Sequence, residues 1–417
     1  MKADLLVDGI GDLATISGAA GPRVGDSAGD LARIEDAAVA VADGRFVFVG
    51  TSRRAAREVL LRSGGRRLDL GGGAMLPGFV DAHTHLLFAG DRSNELAERV
   101  RGATYQEIAR RGGGILSTVR ATRRASLAEL FGSARARLTR MASHGTTTAE
   151  VKSGYALTDP GERRLLQLIP RLARSTGLRL VGTYLGAHAY PSAGKSARDA
   201  YVRSILHRTL PAVARGGLAR FCDVFCEPGY FDVATTGRIL RTAAALGLGL
   251  KVHADEFSAS GGAELAATLS ARSAEHLLAT KAPGRTRLSR AGVTAVLLPA
   301  TPFTSTNGVR SPGREMVDAG VAVALGTDLS PNSWVESMPL VLAHAVYSAH
   351  LTPAEAIVAA TANAAHAIGE EGSAGSISVA RSADFVTFDL DSVEKIPYRI
   401  GVEPARVYRR GIRISSS

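Results

Sequence analysis

The stretch that decides the fold reads PGFVDAHTH and runs from Pro77 to His85. It is an apolar run that ends in polar side chains, which is typical of a buried strand that delivers functional groups to one edge of a sheet. In a strand, residues two apart share a face, so His83 and His85 point the same way. Alone, this pair would also fit two surface histidines, so the rest of the chain must decide.

Similar apolar segments recur along the chain as far as about residue 328. In this region short apolar or β-branched runs alternate with helix-like stretches. Helical patterns include Ala128–Met141 and Gly262–Leu269, and a last helix is expected around Pro353–Ala367. The candidate strands are Met75–His85, Thr146–Lys152, Leu178–His188, Phe221–Glu227, Leu248–Glu256, Arg272–Leu277, Ala295–Thr301 and Val321–Asp328. This pattern predicts an α/β fold of the (β/α)8 TIM-barrel type. A doubly wound sheet is the alternative, but its phosphate-binding glycine loop is missing.

Both ends of the chain are instead rich in β patterns. Ala37–Gly50 contains two apolar runs joined by Asp43-Gly44, which predicts a hairpin. Strand-like segments near the other end are Ser376–Val379, Asp384–Phe388 and Arg406–Tyr408. We therefore expect two domains, a small β domain and a barrel, formed by residues 1–74 with 371–417 and by residues 75–370.

Composition limits the class of protein. Of 417 residues, 45% are hydrophobic and 21% are charged, which is globular and excludes disordered and collagen-like chains. No apolar run is long enough to span a bilayer, and the first residues carry acids where a signal peptide would be apolar. Cys222 and Cys226 cannot form a disulfide framework and are expected in the core. These features predict a cytoplasmic protein with no membrane partner.

The charge balance is basic, with 50 Lys and Arg against 39 Asp and Glu and a formal net charge of +11. Such a balance raises the question of a nucleic-acid partner. However, the arginines are scattered, no nucleic-acid-binding signature is present, and aromatic residues make up only 5% of the chain, which is few for stacking on bases. We expect no nucleic-acid partner.

Further histidines and carboxylates lie at the ends of other candidate strands. The fifth strand ends with His253 and Glu256, the sixth contains His276, and the eighth ends at Asp328. Strand ends converge at one mouth of a barrel, and imidazole and carboxylate donors suit Zn²⁺ or Fe²⁺. We therefore predict a metal site formed by His83, His85, His253 and Asp328.

His253 and Glu256 pose a geometric question. Strict alternation places these two side chains on opposite faces of a continuing strand. Both can serve one site only if the strand ends near Ala254 or Asp255 and the chain turns there, which we assume.

Two glycine motifs do not indicate a nucleotide site. Gly194-Lys195-Ser196 resembles the end of a phosphate loop, but Ala189 stands where the first glycine is required. Gly112–Gly114 does not follow a strand, so we interpret it as a turn or as backbone close to a ligand.

With these residues in view, the chain resembles the amidohydrolase superfamily and, within it, the imidazolonepropionase family. The stretch from Pro77 to His85 resembles the superfamily's first-strand motif, and the terminal β segments resemble its composite β-sandwich. More specific similar stretches are Phe88–Arg92, Gly112–Arg120, Glu150–Tyr155, Asp223–Glu227, His253–Glu256 and Ser337–Leu340.

The resemblance implies an enzyme of histidine degradation that opens the ring of the small molecule 4-imidazolone-5-propanoate and gives N-formimidoyl-L-glutamate. It implies one Zn²⁺ or Fe ion per subunit, which activates the water, and a homodimer. Its implied substrate contacts are Arg92, Tyr155, His188, Glu256 and Ser333.

Hydrolysis of a cyclic amide needs an activated water, a group beside the oxyanion and a proton donor for the leaving nitrogen. By the resemblance, His276 lies beside the water. Asp328 can take the water proton, and Glu256 or Asp328 can pass a proton to the ring nitrogen. The assignment among these three residues stays open. Arg92 is expected to bind the propanoate by two parallel hydrogen bonds.

One stretch departs from the family pattern. Ser330 and Asn332 stand where many members carry Asn and Gly, at positions that touch the product's amino-acid end in the family. We therefore expect altered product contacts there.

Three other functions were weighed. An aminohydrolase of purines or pyrimidines shares the metal motifs, but Glu150–Tyr155 and Gly112–Gly114 argue against it. A non-enzymatic scaffold would tend to lose metal ligands, and all four are present here. A basic nucleic-acid binder is the third alternative.

Overall fold

The computed structural model describes residues 1–18, 21–306 and 308–414, and its strands form two sheets of eight. In chain order, the strands are β1 (Lys2–Ala14), β2 (Arg33–Ala42), β3 (Arg45–Thr51), β4 (Leu60–Asp69), β5 (Ala74–Pro77), β6 (Phe79–Asp81), β7 (Thr146–Lys152), β8 (Arg179–Ala187), β9 (Phe221–Cys226), β10 (Gly249–Ala254), β11 (Ser273–His276), β12 (Thr294–Leu297), β13 (Val323–Leu325), β14 (Phe385–Phe388), β15 (Arg406–Arg409) and β16 (Ile412–Arg413).

Most helices connect consecutive strands of the second sheet. In chain order, the helices are α1 (Ser52–Glu58), α2 (Ser93–Val100), α3 (Tyr105–Arg110), α4 (Gly114–Arg124), α5 (Leu127–Ser143), α6 (Asp159–Leu166), α7 (Ile169–Thr176), α8 (Lys195–Ser204), α9 (Leu210–Arg215), α10 (Val233–Ala245), α11 (Gly262–Thr268), α12 (Ala282–Ala291), α13 (Ala300–Ser305), α14 (Gly313–Asp318), α15 (Met338–Tyr347), α16 (Pro353–Ala359), α17 (Ala362–Ala367) and α18 (Lys395–Tyr398). None of these described helices combines the length and apolar composition that a bilayer crossing would need.

Strands β6 to β13 are parallel neighbours in chain order and form the nearly closed barrel that the sequence predicts. The segments after β6 and β13 meet, because the backbone N–H of Asp328 donates to the carbonyl of His83 (3.1 Å) and that of His85 donates to Leu329 (2.9 Å). Strand β7 is buried along its whole length, as expected for a strand covered on both faces. The barrel mouth therefore gathers the strand ends that carry the predicted site.

The terminal segments form a separate mixed sheet with the order β16-β15-β14-β5-β1-β2-β3, and β4 pairs with β1. The predicted hairpin is confirmed, since β2 and β3 are antiparallel and Asp43 and Gly44 between them have φ of 53° and 77°, as in a type I′ turn. The division of the chain into domains at residues 74 and 371 stays a prediction.

The first predicted strand was wrong as one element, because Met75–His85 divides at Gly78. Strand β5 lies in the mixed sheet and β6 in the barrel. A Cβ at Gly78 would lie 2.3 Å from Oγ1 of Thr147, so only glycine lets the backbone pass this close to β7.

Two further elements differ from the prediction. Ser376–Val379 is no strand; the Ile377 N–H donates one hydrogen bond to the carbonyl of Thr15, just after β1 (2.7 Å), and the Ile377 side chain packs in the core of the mixed sheet. The helix predicted over Pro353–Ala367 is two helices, α16 and α17, because Thr361 between them leaves the helical region with φ −131° and ψ −91°.

Candidate metal centre and active site

The four predicted metal ligands converge at the carboxyl end of the barrel. The Nε2 atom of His85 lies 3.0 Å from that of His83 and 3.3 Å from that of His253. Oδ1 of Asp328 lies 3.5 Å from Nε2 of both His83 and His85. All four side chains are buried. The structure thus brings together three strand ends that are far apart in sequence.

These distances fit one divalent ion. His83, His85 and Asp328 form one cluster of possible donors, and His253 adjoins it through His85; these groups cannot all be satisfied by hydrogen bonds to one another. Donors bound tetrahedrally at about 2.1 Å from Zn²⁺ would stand about 3.4 Å apart, which is close to the spacing found here. The donor types and the spacings between neighbouring donors therefore fit a bound divalent ion.

The backbone around Asp328 brings its carboxylate close to the histidines. Gly326 follows β13, and a Cβ there would lie 2.8 Å from Cβ of His83, so glycine lets β13 approach the first histidine. Asp328 has a positive φ of 53°, and its Oδ2 accepts a hydrogen bond from Oγ1 of Thr301 (2.9 Å). The carboxylate is therefore aimed by a strained backbone and a fixed hydroxyl group.

Carboxylates behind the metal donors fix two of the imidazole rings. Oε2 of Glu275 lies 2.5 Å from Nδ1 of His83, and Oδ2 of Asp223 lies 2.9 Å from Nδ1 of His253. A histidine that gives its Nδ1 proton to a carboxylate presents the Nε2 lone pair to a metal. Burial alone would lower the pKa of His83, but the negative charge of Glu275 raises it to about 9.

The turn required between His253 and Glu256 is present. Strand β10 ends at Ala254, and Asp255 takes a positive φ of 51°. The Asp255 carboxylate fixes the turn by accepting hydrogen bonds from Oγ1 of Thr280 (2.9 Å) and from the N–H of Gly262 (3.1 Å). As a result, Glu256 and His253 line the same cavity, which confirms the assumption made from the sequence.

A small cavity lies beside the four proposed metal donors and opens to solvent. Its wall contains the predicted residues His85, Arg92, Tyr155, His188, His253, Glu256, His276 and Asp328. Sequence reasoning did not predict the apolar wall residues Ile115, Phe225 and Phe257, because apolar side chains carry no chemical signature. Ser330 and Asn332, noted only for their departure from the family, also line the cavity.

Two predicted site residues, His83 and Ser333, do not lie on this wall. His83 lies among the other proposed metal donors. Ser333 is fully buried, and its backbone N–H donates to Oγ of Ser330 (3.1 Å). Its position behind Ser330 means that a direct contact of Ser333 with substrate stays a prediction.

Arg92 is a buried guanidinium group on the cavity wall. Its Nε donates to Oγ1 of Thr118 on α4 (2.9 Å). Helix α4 begins at the triple glycine, where the N–H of Gly114 donates to Oε1 of Glu95 (2.8 Å) and Gly112 has a φ of 91°. The triple glycine is thus the turn that the sequence analysis allowed, and it starts the helix that orients Arg92.

Tyr155 and His188 form an aromatic wall next to His85. The rings of His188 and His85 stack with centroids 5.0 Å apart and an angle of 18°, and Tyr155 lies 5.2 Å from His188. Nδ1 of His188 lies 3.2 Å from the carbonyl of Gly154, so the loop that carries Tyr155 also fixes His188.

Burial shifts the pKa values of the cavity's ionisable groups. It lowers the pKa of His188 and of His276 to about 3, so both rings are neutral imidazoles. Burial, and then the charge of Asp328, raises the pKa of Glu256 well above its usual range. Burial would raise the pKa of Asp328 as well, but a hydrogen bond to His83 and the nearby His276 lower it to about 2.

His276 and Glu256 face each other across one side of the cavity. Nε2 of His276 lies 3.8 Å from Oε2 of Glu256. His276 ends β11 with a positive φ of 67°, which turns its ring toward the metal donors: its centroid lies 5.5 Å from that of His83. The arrangement can place a neutral imidazole and a carboxyl group next to a molecule bound beside the metal donors.

The sequence is similar to those of known proteins over nearly its whole length. A model described as the amidohydrolase family matches residues 74–412. An imidazolonepropionase of Symbiobacterium thermophilum is 49% identical over 411 residues, which cover 98% of this chain and 96% of that protein. An imidazolonepropionase of Syntrophobacter fumaroxidans is 44% identical over 391 residues, which cover 93% of this chain and 92% of that protein.

Solved structures share the fold at much lower identity. An adenosine deaminase from Xanthomonas campestris with bound zinc has a TM-score of 0.71 and 20% identity, with 99% of this chain and 93% of the other covered. E. coli guanine deaminase has a TM-score of 0.68 and 16% identity, with 98% and 99% covered. At these identities the likeness concerns the fold alone.

Proposed function

Because the chain belongs to the imidazolonepropionases of the amidohydrolase family, we propose that it hydrolyses the cyclic amide of 4-imidazolone-5-propanoate to N-formimidoyl-L-glutamate, a step of histidine degradation. The observation that carries this proposal is a cavity that has a His/Asp donor set and the buried guanidinium group of Arg92 on one wall. A buried arginine favours an anionic substrate, and this substrate carries a propanoate.

We propose that His83, His85, His253 and Asp328 hold one Zn²⁺ or Fe²⁺ ion. Such an ion, when bound, lowers the pKa of a water to about 7 and so makes hydroxide available at neutral pH. The clustering of His83, His85 and Asp328 and the 3.3 Å between Nε2 of His253 and Nε2 of His85 support this assignment. Metal analysis of the purified protein decides between zinc and iron.

The substrate is proposed to lie between Arg92 and the metal donors. The guanidinium group of Arg92 would bind the propanoate by two parallel hydrogen bonds. The aromatic wall formed by Tyr155 and His188 would pack against one side of the substrate's imidazolone ring. Ser330 and Asn332 lie on the cavity wall and would border the part of the ring that becomes the product's amino-acid end. This placement turns the ring carbonyl toward Asp328 and His276.

Three proton transfers complete the reaction. As water adds to the ring carbonyl carbon, one water proton passes to Asp328, whose Oδ1 lies beside the Nε2 atoms of His83 and His85. His276, a neutral imidazole, would donate a hydrogen bond to the oxyanion. The carbon–nitrogen bond then breaks, and Glu256 protonates the leaving ring nitrogen. The Asp328 proton returns to Glu256, which restores both groups.

A direct assay separates this function from that of the deaminases with the same fold. The purified, metal-loaded chain is mixed with 4-imidazolone-5-propanoate, and the loss of imidazolone absorbance is followed. Ammonia release from guanine, adenosine and cytosine is measured in parallel. We expect turnover of the imidazolone only. Ammonia release without imidazolone turnover would overturn the proposal in favour of an aminohydrolase.

A further inference from the structure

Five fully buried charged side chains fill the barrel beneath the metal donors. They are three carboxylates and two ammonium groups on four barrel strands: Glu150 and Lys152 of β7, Asp223 of β9, Lys251 of β10 and Glu275 of β11. Each ion costs several kcal/mol to remove from water, so such groups persist only where others compensate their charge. The proposed reaction does not use either lysine.

Lys152 contacts the two carboxylate oxygens that fix metal ligands. Its Nζ lies 2.8 Å from Oε2 of Glu275 and 2.7 Å from Oδ2 of Asp223. Those same two oxygens face the metal ligands, since Oε2 of Glu275 lies 2.5 Å from Nδ1 of His83 and Oδ2 of Asp223 lies 2.9 Å from Nδ1 of His253. One ammonium group is therefore shared by both carboxylate–imidazole pairs.

Lys251 is equally buried but has a different set of contacts. Its Nζ lies 2.9 Å from Oε1 of Glu150 and 3.0 Å from Oε1 of Glu275. Lys251 thus contacts Oε1 of Glu275, whereas Oε2 of Glu275 is the oxygen beside His83. The two lysines match in charge and burial and both contact Glu150 and Glu275, but only Lys152 contacts the oxygens that hold the imidazoles.

We propose that Lys152 is a positioning residue for the metal centre. Its ammonium group holds the Glu275 and Asp223 carboxylates in the orientation that directs Nε2 of His83 and His253 to one point. It also balances the negative charge that would otherwise accumulate behind the two rings. Without it, two buried carboxylates lose the ammonium group that holds both of them in place, and the imidazoles they contact lose their fixed orientation. This inference rests on the proposed metal site.

The test compares Lys152→Met with Lys251→Met in the full chain, because methionine keeps an unbranched side chain without the charge. Zinc affinity is measured by competition with a chromophoric chelator at neutral pH, and the visible spectrum of the cobalt-loaded protein reports the ligand geometry. We expect Lys152→Met to weaken zinc binding about tenfold, as outer-shell substitutions do, and to change the cobalt spectrum. The zinc affinity of Lys251→Met should stay within about threefold of that of the unchanged protein, because Lys251 does not contact the oxygens that hold the imidazoles.

A second variant keeps the proposal testable if Lys152→Met does not fold. Lys152 also lies 2.8 Å from Oε2 of Glu150, so the double variant Lys152→Met with Glu150→Gln removes one charge of each sign. It should fold and still bind zinc weakly. Unchanged affinity in this variant, or equal losses for Lys152→Met and Lys251→Met, would overturn the proposal, because total charge rather than position would then explain the data. If the unchanged protein bound no divalent ion, the metal site itself would be refuted, which is a separate outcome.

Discussion

Three strand ends of the site are bent by single residues in a strained conformation. Asp255, His276 and Asp328 all have positive φ values, of 51°, 67° and 53°. For residues other than glycine such a conformation costs about 1 kcal/mol or more. Each bend turns a functional side chain into the cavity, so the fold accepts local strain where a straight strand would point that side chain elsewhere.

Arg92 is the residue proposed to recognise the propanoate group of the substrate. Arg92→Ala should reduce kcat/KM by an amount equivalent to about 2–3 kcal/mol, the scale of hydrogen bonds to a charged group. Most of the loss should appear in KM if the contact is equally strong throughout the reaction. Steady-state kinetics on the imidazolone substrate measures it. The matched control is Arg111→Ala, an exposed arginine paired with Glu98; if both variants behave alike, Arg92 is not a substrate contact.

His276 should separate catalysis from metal binding. Its ring lies on the cavity wall, while the proposed metal donors are other residues. We expect His276→Ala to keep its metal, as measured by elemental analysis, and to lose about a hundredfold or more in kcat, the scale of one lost oxyanion donor. A fully active variant would remove His276 from the reaction, and a metal-free one would place it among the ligands.

At the scale of elements, one buried carboxylate holds the loop after β7. Oε2 of Glu162, on α6, accepts a hydrogen bond from the N–H of Gly154 (2.7 Å), and its Oε1 accepts from those of Ala156 (2.8 Å) and Leu157 (2.7 Å). This loop carries Tyr155, and the Gly154 carbonyl meets His188. Glu162 therefore shapes the aromatic wall without touching the cavity.

Glu162→Ala would leave three buried backbone N–H groups without their acceptor. We expect a loss of folding free energy of at least about 2 kcal/mol, a raised KM and an unchanged metal content, because the loop carries no metal ligand. Chemical denaturation, kinetics and metal analysis measure the three effects. Glu129→Ala is the control: it removes an exposed capping-box residue of α5, which should cost about 1 kcal/mol and leave KM unchanged. An unchanged KM for Glu162→Ala would contradict this role of the loop.

The elements also show which features a sequence reveals. The ends of the barrel strands were predictable, because His83, His253 and Asp328 interrupt apolar runs and their types suit a metal. The division at Gly78 was not, because both halves of that run are apolar and only the approach to Thr147 requires the break. Lys152 belongs to a sequence motif, but the carboxylates that it contacts include some from strands far away in sequence. A single sequence does not indicate which buried charges will pair in the fold.

For the molecule as a whole, the proposed metal donors lie on both sides of the barrel's closure. His83 and His85 follow β6, Asp328 follows β13, and the two segments are also joined through Asp81, whose Oδ1 accepts from the N–H of Thr327 (3.0 Å). His253 comes from β10, across the barrel. A bound ion would therefore tie together the first, fifth and last strands.

Metal removal should consequently destabilise the entire barrel. A ligand that binds only the folded state at about a thousandfold above its Kd adds about 4 kcal/mol to the free energy of unfolding, so we expect Tm to fall with a chelator and to recover when Zn²⁺ is added back. Differential scanning calorimetry measures the shift. His85→Ala should abolish the zinc response, whereas His207→Ala, an exposed histidine, should retain it. A Tm independent of zinc in the unchanged protein would mean that the four donors do not hold an ion across the closure of the barrel.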